Sequence, residues 1–382
     1  MYRCVSWGIV HGSYNAAMAA PLDVCIRGAG VVGRTLALLL ARDRLRVGLV
    51  EPAKPSPPDL RAYALNAASR ELLSQLRAWP EAPAVTPVLR MEVHGDEGGR
   101  VQFRAEQQGA EALAWICGAD ALQERLGAAL DFQPHVERLA EPRTAALTVV
   151  CEGKASITRA EYGVQYEVAR YPQHAIAARL DCERPHEGVA RQWFIDGDIL
   201  ALLPLGGPEG RTVALVWSVA QDRADSLLAL PAAEFEQRLA DASHHALGAL
   251  RLASERSRWP LQLAKADRWC GPGWVLAGDA AHTVHPLAGQ GLNLGLADAH
   301  ELARVLHGRE YWRGLGDLRL LRRYERSRKA QVAAMQVATD GLQQLFAQES
   351  RLANWLRNWG MRGFERSGPV KSWVARQAAG RL

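Results

Sequence analysis

Residues 21 to 52 read PLDVCIRGAGVVGRTLALLLARDRLRVGLVEP, and no other stretch of this chain limits its fold so tightly. Leu22, Val24 and Ile26 alternate as a short buried strand that ends at Gly28. Val31–Arg42 is a run of strong helix formers, and Val47–Val50 is a second apolar strand. The three pieces make a β-α-β unit, whose connection should be right-handed. Gly28-Ala29-Gly30-Val31-Val32-Gly33 sets G-x-G-x-x-G at the first junction. There the first glycine permits a tight turn, the second lets backbone approach a pyrophosphate, and the third lets helix pack on strand. Gly28, Gly30, Val32 and Gly33 are thus candidate phosphate contacts, aided by the free N–H groups of the helix N-terminus. Glu51, 23 residues after Gly28, is placed to accept hydrogen bonds from a ribose diol. An acid there favours FAD or NAD over NADP.

A second stretch, Val275 to Ala299, reads VLAGDAAHTVHPLAGQGLNLGLADA. Gly278-Asp279 follows the strand Trp274 to Ala277, and the Asp279 carboxylate is placed to accept from ribityl hydroxyls. His282, Thr283 and His285 lead through Pro286 to Gly289-Gln290-Gly291-Leu292-Asn293. Glycines there let main-chain N–H groups come close to a flat ring, and a helix from Gln290 aims its positive end at the same place. That arrangement stabilises negative charge at the N1/O2 edge of a flavin. His282 and His285 are read as hydrogen-bonded loop residues rather than catalytic groups.

Composition narrows the setting. The 382 residues are 48% hydrophobic and 23% charged, an ordinary globular balance able to bury one large core or two smaller ones. Six cysteines are scattered without a CxxC pair or metal-ligand spacing, which fits a reduced, cytoplasmic protein with no metal site. No apolar run approaches the roughly 20 residues needed to span a bilayer. The first 20 residues faintly resemble a signal peptide, but His11, Ser13 and Asn15 interrupt the apolar part. They are read as a disordered extension or a mis-assigned start, with Met18 the natural one. The net charge of +5 resides in the tail: Arg351 to Leu382 holds seven basic residues and one acid. Leu352, Trp355, Leu356 and Trp359 give that tail an amphipathic helix, suited to packing on the body or to membrane contact. The remainder, through Phe364, Lys371, Trp373 and Arg376, suits anionic lipid or a partner protein. No nucleic-acid module accompanies it.

In chain order, Pro52, Pro55, Pro57 and Pro58 enforce an extended loop, and a helix is expected from Asn66 to Leu76. After Pro80, Pro83 and Pro87, Met91 to Phe103 suits a strand pair turning at Asp96-Glu97-Gly98-Gly99. Ala119 to Leu130 reads as helix. Between Gly163 and Ser218 the segments YEVARY, RQWFI, ILALLPL and TVALVWS are strands. So much strand without helix implies a second sheet beside the first. Glu234 to Leu250 reads as helix, as does most of the chain beyond Gln290. Residues 1–20 are then an extension, and 21–83, 110–160 and 255–310 a discontinuous flavin domain. Residues 84–109 and 161–254 form a substrate-domain sheet, and 311–382 a C-terminal helical region.

GDAAHTVHPLAGQGLNLGLAD resembles the second flavin motif of the class A flavoprotein monooxygenases, in their ubiquinone-biosynthesis hydroxylase branch. RAYALNAASRELLSQL (61–76), LALLPLGGPEGRTVALVWS (200–218), PLQLAKAD (260–267) and LRLLRRYERSRKAQ (318–331) resemble further segments of that family. The resemblance implies an α/β fold with α+β elements of the para-hydroxybenzoate-hydroxylase type: a Rossmann-type FAD domain, a second mixed sheet and C-terminal helices. It implies an FAD-dependent hydroxylase of ubiquinone biosynthesis that uses NAD(P)H and O₂ on a polyprenylated phenol through a flavin C4a-hydroperoxide. The cofactor carries that chemistry, so no catalytic triad is required.

Arg61, Pro204 and Pro286 are the candidates for residues beside the ring, with the run Leu200 to Leu205 facing it. Arg61, Glu152 and Gly153 join Gly278, Asp279, Pro286, Gly289, Gly291, Leu292 and Asn293 as cofactor contacts. Three positions depart from the family pattern: Glu152 where aspartate is usual, Gly118-Ala119 where Glu-Asn is frequent, and Arg27 at an apolar strand position. Two alternatives remain: a soluble single-ring phenol hydroxylase, and a non-catalytic flavin-fold scaffold for other ubiquinone-biosynthesis proteins. A polyprenylated substrate would bring the protein to the inner face of the membrane through its basic tail.

Overall fold

The computed structural model describes residues 21–51, 59–95, 98–284 and 290–347, with backbone alone for 208 and 335–347. The N-terminal extension, the Pro52–Pro58 loop, Asp96-Glu97, His285, Pro286, Gly289 and the amphipathic tail lie outside the described residues.

One sheet of six strands runs Cys270–Gly271, Trp274–Leu276, Ala145–Val150, Leu22–Arg27, Val47–Val50, Val136–Leu139. All neighbours but the first pair are parallel. A parallel sheet is covered on both faces, which is why its strands carry apolar runs such as Val24 to Ile26 and Trp274 to Leu276. The helices are α1 Val31–Arg42, α2 Ala67–Gln75, α3 Ala119–Asp131, α4 Ile157–Glu161, α5 Gln221–Ala229, α6 Ala232–Ala242, α7 Gln290–His307 and α8 Leu318–Ala347. Helix α1 packs between α3 and α7, and α7 against α8, over the largest apolar cluster.

A second sheet runs His282–Thr283, Ser257–Ala266, Tyr166–Cys182, Thr212–Ala220, Asp198–Leu205, Val189–Ile195, Arg90–His94, Arg100–Arg104, with Leu250–Leu252 beside Tyr166–Cys182. It is antiparallel except where Val189–Ile195 meets Arg90–His94. One face packs Ile176, Trp193, Leu200, Leu202 and Trp217 against α5 and α6. The other meets a three-stranded sheet of Ala62–Leu65, Ala114–Gly118 and Val85–Val88 through Ala190, Leu205, Ala214, Val88 and Ile116.

Four differences from the sequence reading have physical causes. The helix placed over Glu234 to Leu250 ends at Ala242, because His244, His245 and Gly248 take positive φ and turn the chain into Leu250–Leu252. That turn folds Leu247 and Leu250 under Phe235 and Leu239. Ser257–Ala266 and His282–Thr283, placed with the flavin segments, hydrogen-bond into the second sheet. Val85–Val88, placed with the substrate sheet, pairs instead with Ala114–Gly118. Finally, Val136–Leu139 and Ala145–Val150 are strands that the sequence pattern does not announce.

Candidate functional site

Four parallel strands deliver their carboxyl ends to one edge of the first sheet: at Gly28, at Glu51, at Cys151-Glu152 and at Ala277-Gly278-Asp279. Leu22–Arg27 has Val47–Val50 on one side and Ala145–Val150 on the other, so successive connections leave it in opposite directions. Such a switch point opens a crevice above the strand ends.

The glycines divide by role. A Cβ at Gly33 would sit 2.0 Å from the Gly28 carbonyl oxygen, and one at Gly28 (φ +111°) would sit 2.5 Å from the Cys151 oxygen. Those two are closed by the protein itself. A Cβ at Gly30 would meet nothing within 4 Å. Gly30 is the N-cap of α1, no side chain caps that end, and no acid occupies the first turn. The opening, the free amides and the helix dipole suit a pyrophosphate, so the residues present fit a dinucleotide cofactor. Val32 faces the second motif: its side chain contacts the positions where Gly278 and Gly295 lack a Cβ.

Glu51 does not stand alone. Arg138 Nη1 donates to it at 3.2 Å and Arg34 Nη2 lies 3.7 Å away. Arg34 also donates to Ala29 O and Gln123 O, binding α1 to α3, and burial lowers its pKa. Neither arginine is signalled by the glycine motif.

Arg27 and Glu152, two of the three departures, are partners at 3.1 Å. Glu152 also accepts from Ser156 Oγ at 2.7 Å, Thr158 Oγ1 at 2.6 Å and Thr158 N at 3.2 Å, which fixes the start of α4. Burial opposes its ionisation, but the bonds from Thr158 and Ser156, with Arg27, hold it below its ordinary value. Gly153 (φ +77°) has open space around it. At the third departure, Arg179 Nη2 comes within 3.4 Å of the missing Gly118 Cβ and 3.7 Å from Asp120.

Asp279 is held through its backbone. Its carbonyl accepts from Tyr166 Oη at 2.9 Å, Tyr166 lies under the Arg159 guanidinium at 3.6 Å, and Arg159 donates to Ala280 O at 3.1 Å. The Asp279 carboxylate has no hydrogen-bond partner among the described residues. Behind it, fully buried Asp298 accepts from Gly278 N at 2.9 Å, His282 Nε2 at 2.6 Å and Arg328 Nε at 2.6 Å. Burial alone would raise the Asp298 pKa, yet His282 and Arg328 hold it down. His282 is accordingly a buried structural residue, stacked 4.9 Å from Trp269.

Gly291 and Leu292 lie in the first turn of α7, with open space at Gly291. The Asn293 side chain is engaged elsewhere: it accepts from Asn66 N at 3.0 Å and Ser69 Oγ at 2.7 Å and donates to Ala64 O at 2.8 Å. It locks α7 to the cap of α2. Arg61 forms a two-pronged pair with Asp59, whose hydrogen bonds raise the Arg61 pKa. Pro204 differs from its expected placement. Strand alternation splits Leu200 to Leu205, and Pro204, opposite Val213, shares the face of Leu200 and Leu202 toward α5 and α6. Leu203 and Leu205 take the opposite face. A run of apolar letters conceals this division.

Arg159, Tyr166 and Arg328 were missed in the sequence. Arg328 had a readable signal, since it continues the buried stripe of Leu321 and Tyr324 on α8.

A model of the FAD binding domain family matches residues 136–339. The 3-demethoxyubiquinol 3-hydroxylase of Escherichia coli (strain K12) is 30% identical over 391 residues, spanning 94% of this chain and 99% of that protein. Ubiquinone hydroxylase UbiL of Rhodospirillum rubrum is 31% identical over 392 residues, spanning 94% and 90%. The crystal structure of P. aeruginosa PqsL in complex with 2-aminobenzoylacetate superposes with a TM-score of 0.76 at 23% identity, covering 87% of this chain and 99% of that one, a likeness of fold.

Proposed function

The chain belongs to the class A FAD-dependent monooxygenases, in their ubiquinone-hydroxylase branch, and from that premise we propose that it hydroxylates the ring of a polyprenylated phenol. FAD, when bound, supplies the passage of electrons from NAD(P)H to O₂ and the activated oxygen. The chain's own residues bind, orient and exclude water. We assign the pyrophosphate to the open N-terminus of α1 at Gly30, with Val32 and Gly33 in the same turn. Glu51, held by Arg138 and Arg34, is assigned to the ribose, and the unengaged Asp279 carboxylate to the ribityl hydroxyls. The α7 amides at Gly291 and Leu292 are assigned to the ring. Arg61, Glu152 and Asn293 serve this site through the protein contacts described above. Pro286 and Gly289 keep the roles the resemblance implies.

The observation that carries this reading is the convergence of two uncapped functions on one sheet edge, the bare α1 terminus and the Asp279 carboxylate. A polyprenyl chain partitions into lipid, so the basic segment 351–382 is the proposed point of membrane contact. Among the described residues no helix is long and apolar enough to cross a membrane.

The reading predicts a yellow protein whose NAD(P)H oxidation is coupled to hydroxylation of a polyprenylated phenol. Deleting the gene should accumulate a quinone precursor lacking one hydroxyl. Turnover with small soluble phenols alone would favour the single-ring alternative. A colourless protein and an unchanged quinone profile would favour the scaffold.

A further inference from the structure

We propose that the loop 308–317 and the first turns of α8 form a docking surface for a protein partner that presents carboxylates around an apolar pocket. Tyr311 is 93% exposed and Trp312 66%, and their rings meet edge to face at 4.9 Å. The loop that carries them is pinned. Arg323 Nη2 donates to Glu310 at 2.6 Å, Arg313 to Asp317 at 3.1 Å, and Gly273 N to Gly316 O at 3.0 Å. A Cβ at Gly316 would lie 2.6 Å from Ala146 O, so the loop is seated directly on the sheet. Two large aromatics held out on an ordered loop lose little entropy on binding, and Trp, Tyr and Arg dominate binding energy at protein interfaces.

Charge identifies the occupant. Arg319, Arg322 and Arg326 are exposed on one face of α8 and have no ion-pair partner among the described residues. The nearby acids Glu310 and Asp317 are already spent on Arg323 and Arg313. The surface is therefore positive, which disfavours a second copy of the same face. Its cations are arginines, whose planar forks pair two-pronged with carboxylates. It also lies at the amino ends of the parallel strands, beside Ala146 and Gly273, opposite the edge that bears Gly28 and Asp279. A bilayer there would hold that edge away from the lipid, whereas a docked protein leaves it clear.

The test uses the full-length holoenzyme in its own cells, with a photo-crosslinking amino acid at position 312 and, as control, at exposed Val168. The expected result is a cross-link from 312 alone, into a partner peptide rich in Asp and Glu. Its yield should fall about tenfold in the R319E/R322E/R326E variant, with flavin content and turnover unchanged. A cross-link into another copy of this chain, or into a neutral or basic peptide, overturns the proposal. So does no cross-link at all. Sedimentation with phosphatidylglycerol-rich vesicles that is lost in Tyr311→Ser/Trp312→Ser would assign the surface to lipid and overturn it as well.

Discussion

Arg27 Nε lies 3.1 Å from Glu152 Oε1, joining the end of the first strand to the loop that follows Ala145–Val150. Each residue alone departs from the family pattern, and together they satisfy one another. A half-buried guanidinium at a strand end needs an anion, and the longer glutamate arm serves it while also anchoring Thr158. The pair belongs to the scaffold under the cofactor crevice.

Glu152→Gln should therefore destabilise the protein by about 1–2 kcal/mol, because it leaves Arg27 only its longer, more exposed pair with Glu161 at 3.5 Å. A double-mutant cycle with Arg27→Val should show coupling of about 1 kcal/mol in urea unfolding. The sign with pH follows from the depressed folded value. The contribution is present above the ordinary 4.5 and is lost as pH falls below it, so the wild-type advantage over Glu152→Gln should shrink in that range. Additive single substitutions would show that the two residues do not cooperate.

Gly30→Ala and Gly33→Ala should fail differently. A methyl at Gly33 collides with the Gly28 carbonyl, so that variant should lose folded yield with or without flavin. A methyl at Gly30 enters open space, so the apoprotein should unfold within about 0.5 kcal/mol of wild type. FAD affinity should drop at least roughly tenfold, since the methyl stands where backbone must approach phosphate. Flavin titration of the two apoproteins checks this; unaltered FAD binding by Gly30→Ala would remove the pyrophosphate from that site.

What was legible in the sequence was local. Gly28, Gly33 and Asp279 declare themselves because turn, strand end and helix start lie within a few residues of one another. The residues that hold the Asp279 turn are not local: Arg159 reaches Ala280 across 121 positions, and Tyr166 reaches Asp279 across 113. Asn293 shows the limit well. Its place in the motif marks it as a cofactor contact, and nothing local signals that its side chain also binds Asn66 and Ser69 at the start of α2 and Ala64 on the strand before it. Ala145–Val150, the central strand that completes the crevice, follows a polar stretch and carries no alternation to reveal it.

Asp298→Asn should be the most damaging conservative change in the second motif. It removes a fully buried charge that faces both His282 and Arg328, and unpaired buried charge costs about 3–5 kcal/mol. Because Gly278 N also binds Asp298, the Asp279 turn should loosen and flavin occupancy fall alongside stability. Arg328→Met, on α8, should reproduce both effects at a distance from the crevice. Thermal unfolding together with the ratio of flavin to protein absorbance separates the outcomes; full occupancy in Arg328→Met would mean that α8 does not hold the turn.

Asp198 offers a change of opposite sign. It begins the strand Asp198–Leu205 at 5% exposure, and burial pushes its pKa up to about 6 despite Arg223 Nη1 at 2.6 Å, an ion pair without hydrogen-bond geometry. A carboxyl group whose folded pKa exceeds its unfolded 3.8 favours folding only while protonated. Its contribution is best below 3.8 and is lost as pH rises through about 6. Asp198→Asn keeps the shape and stays neutral. It should match wild type near the acid end and surpass it by about 1–2 kcal/mol above the folded pKa. That is less than the ~3 kcal/mol of a two-unit shift, because Arg223 loses an anion. Urea unfolding of both proteins across this range decides the matter: a gap that stays constant or narrows with rising pH would show that Asp198 is ionised in the fold at little cost.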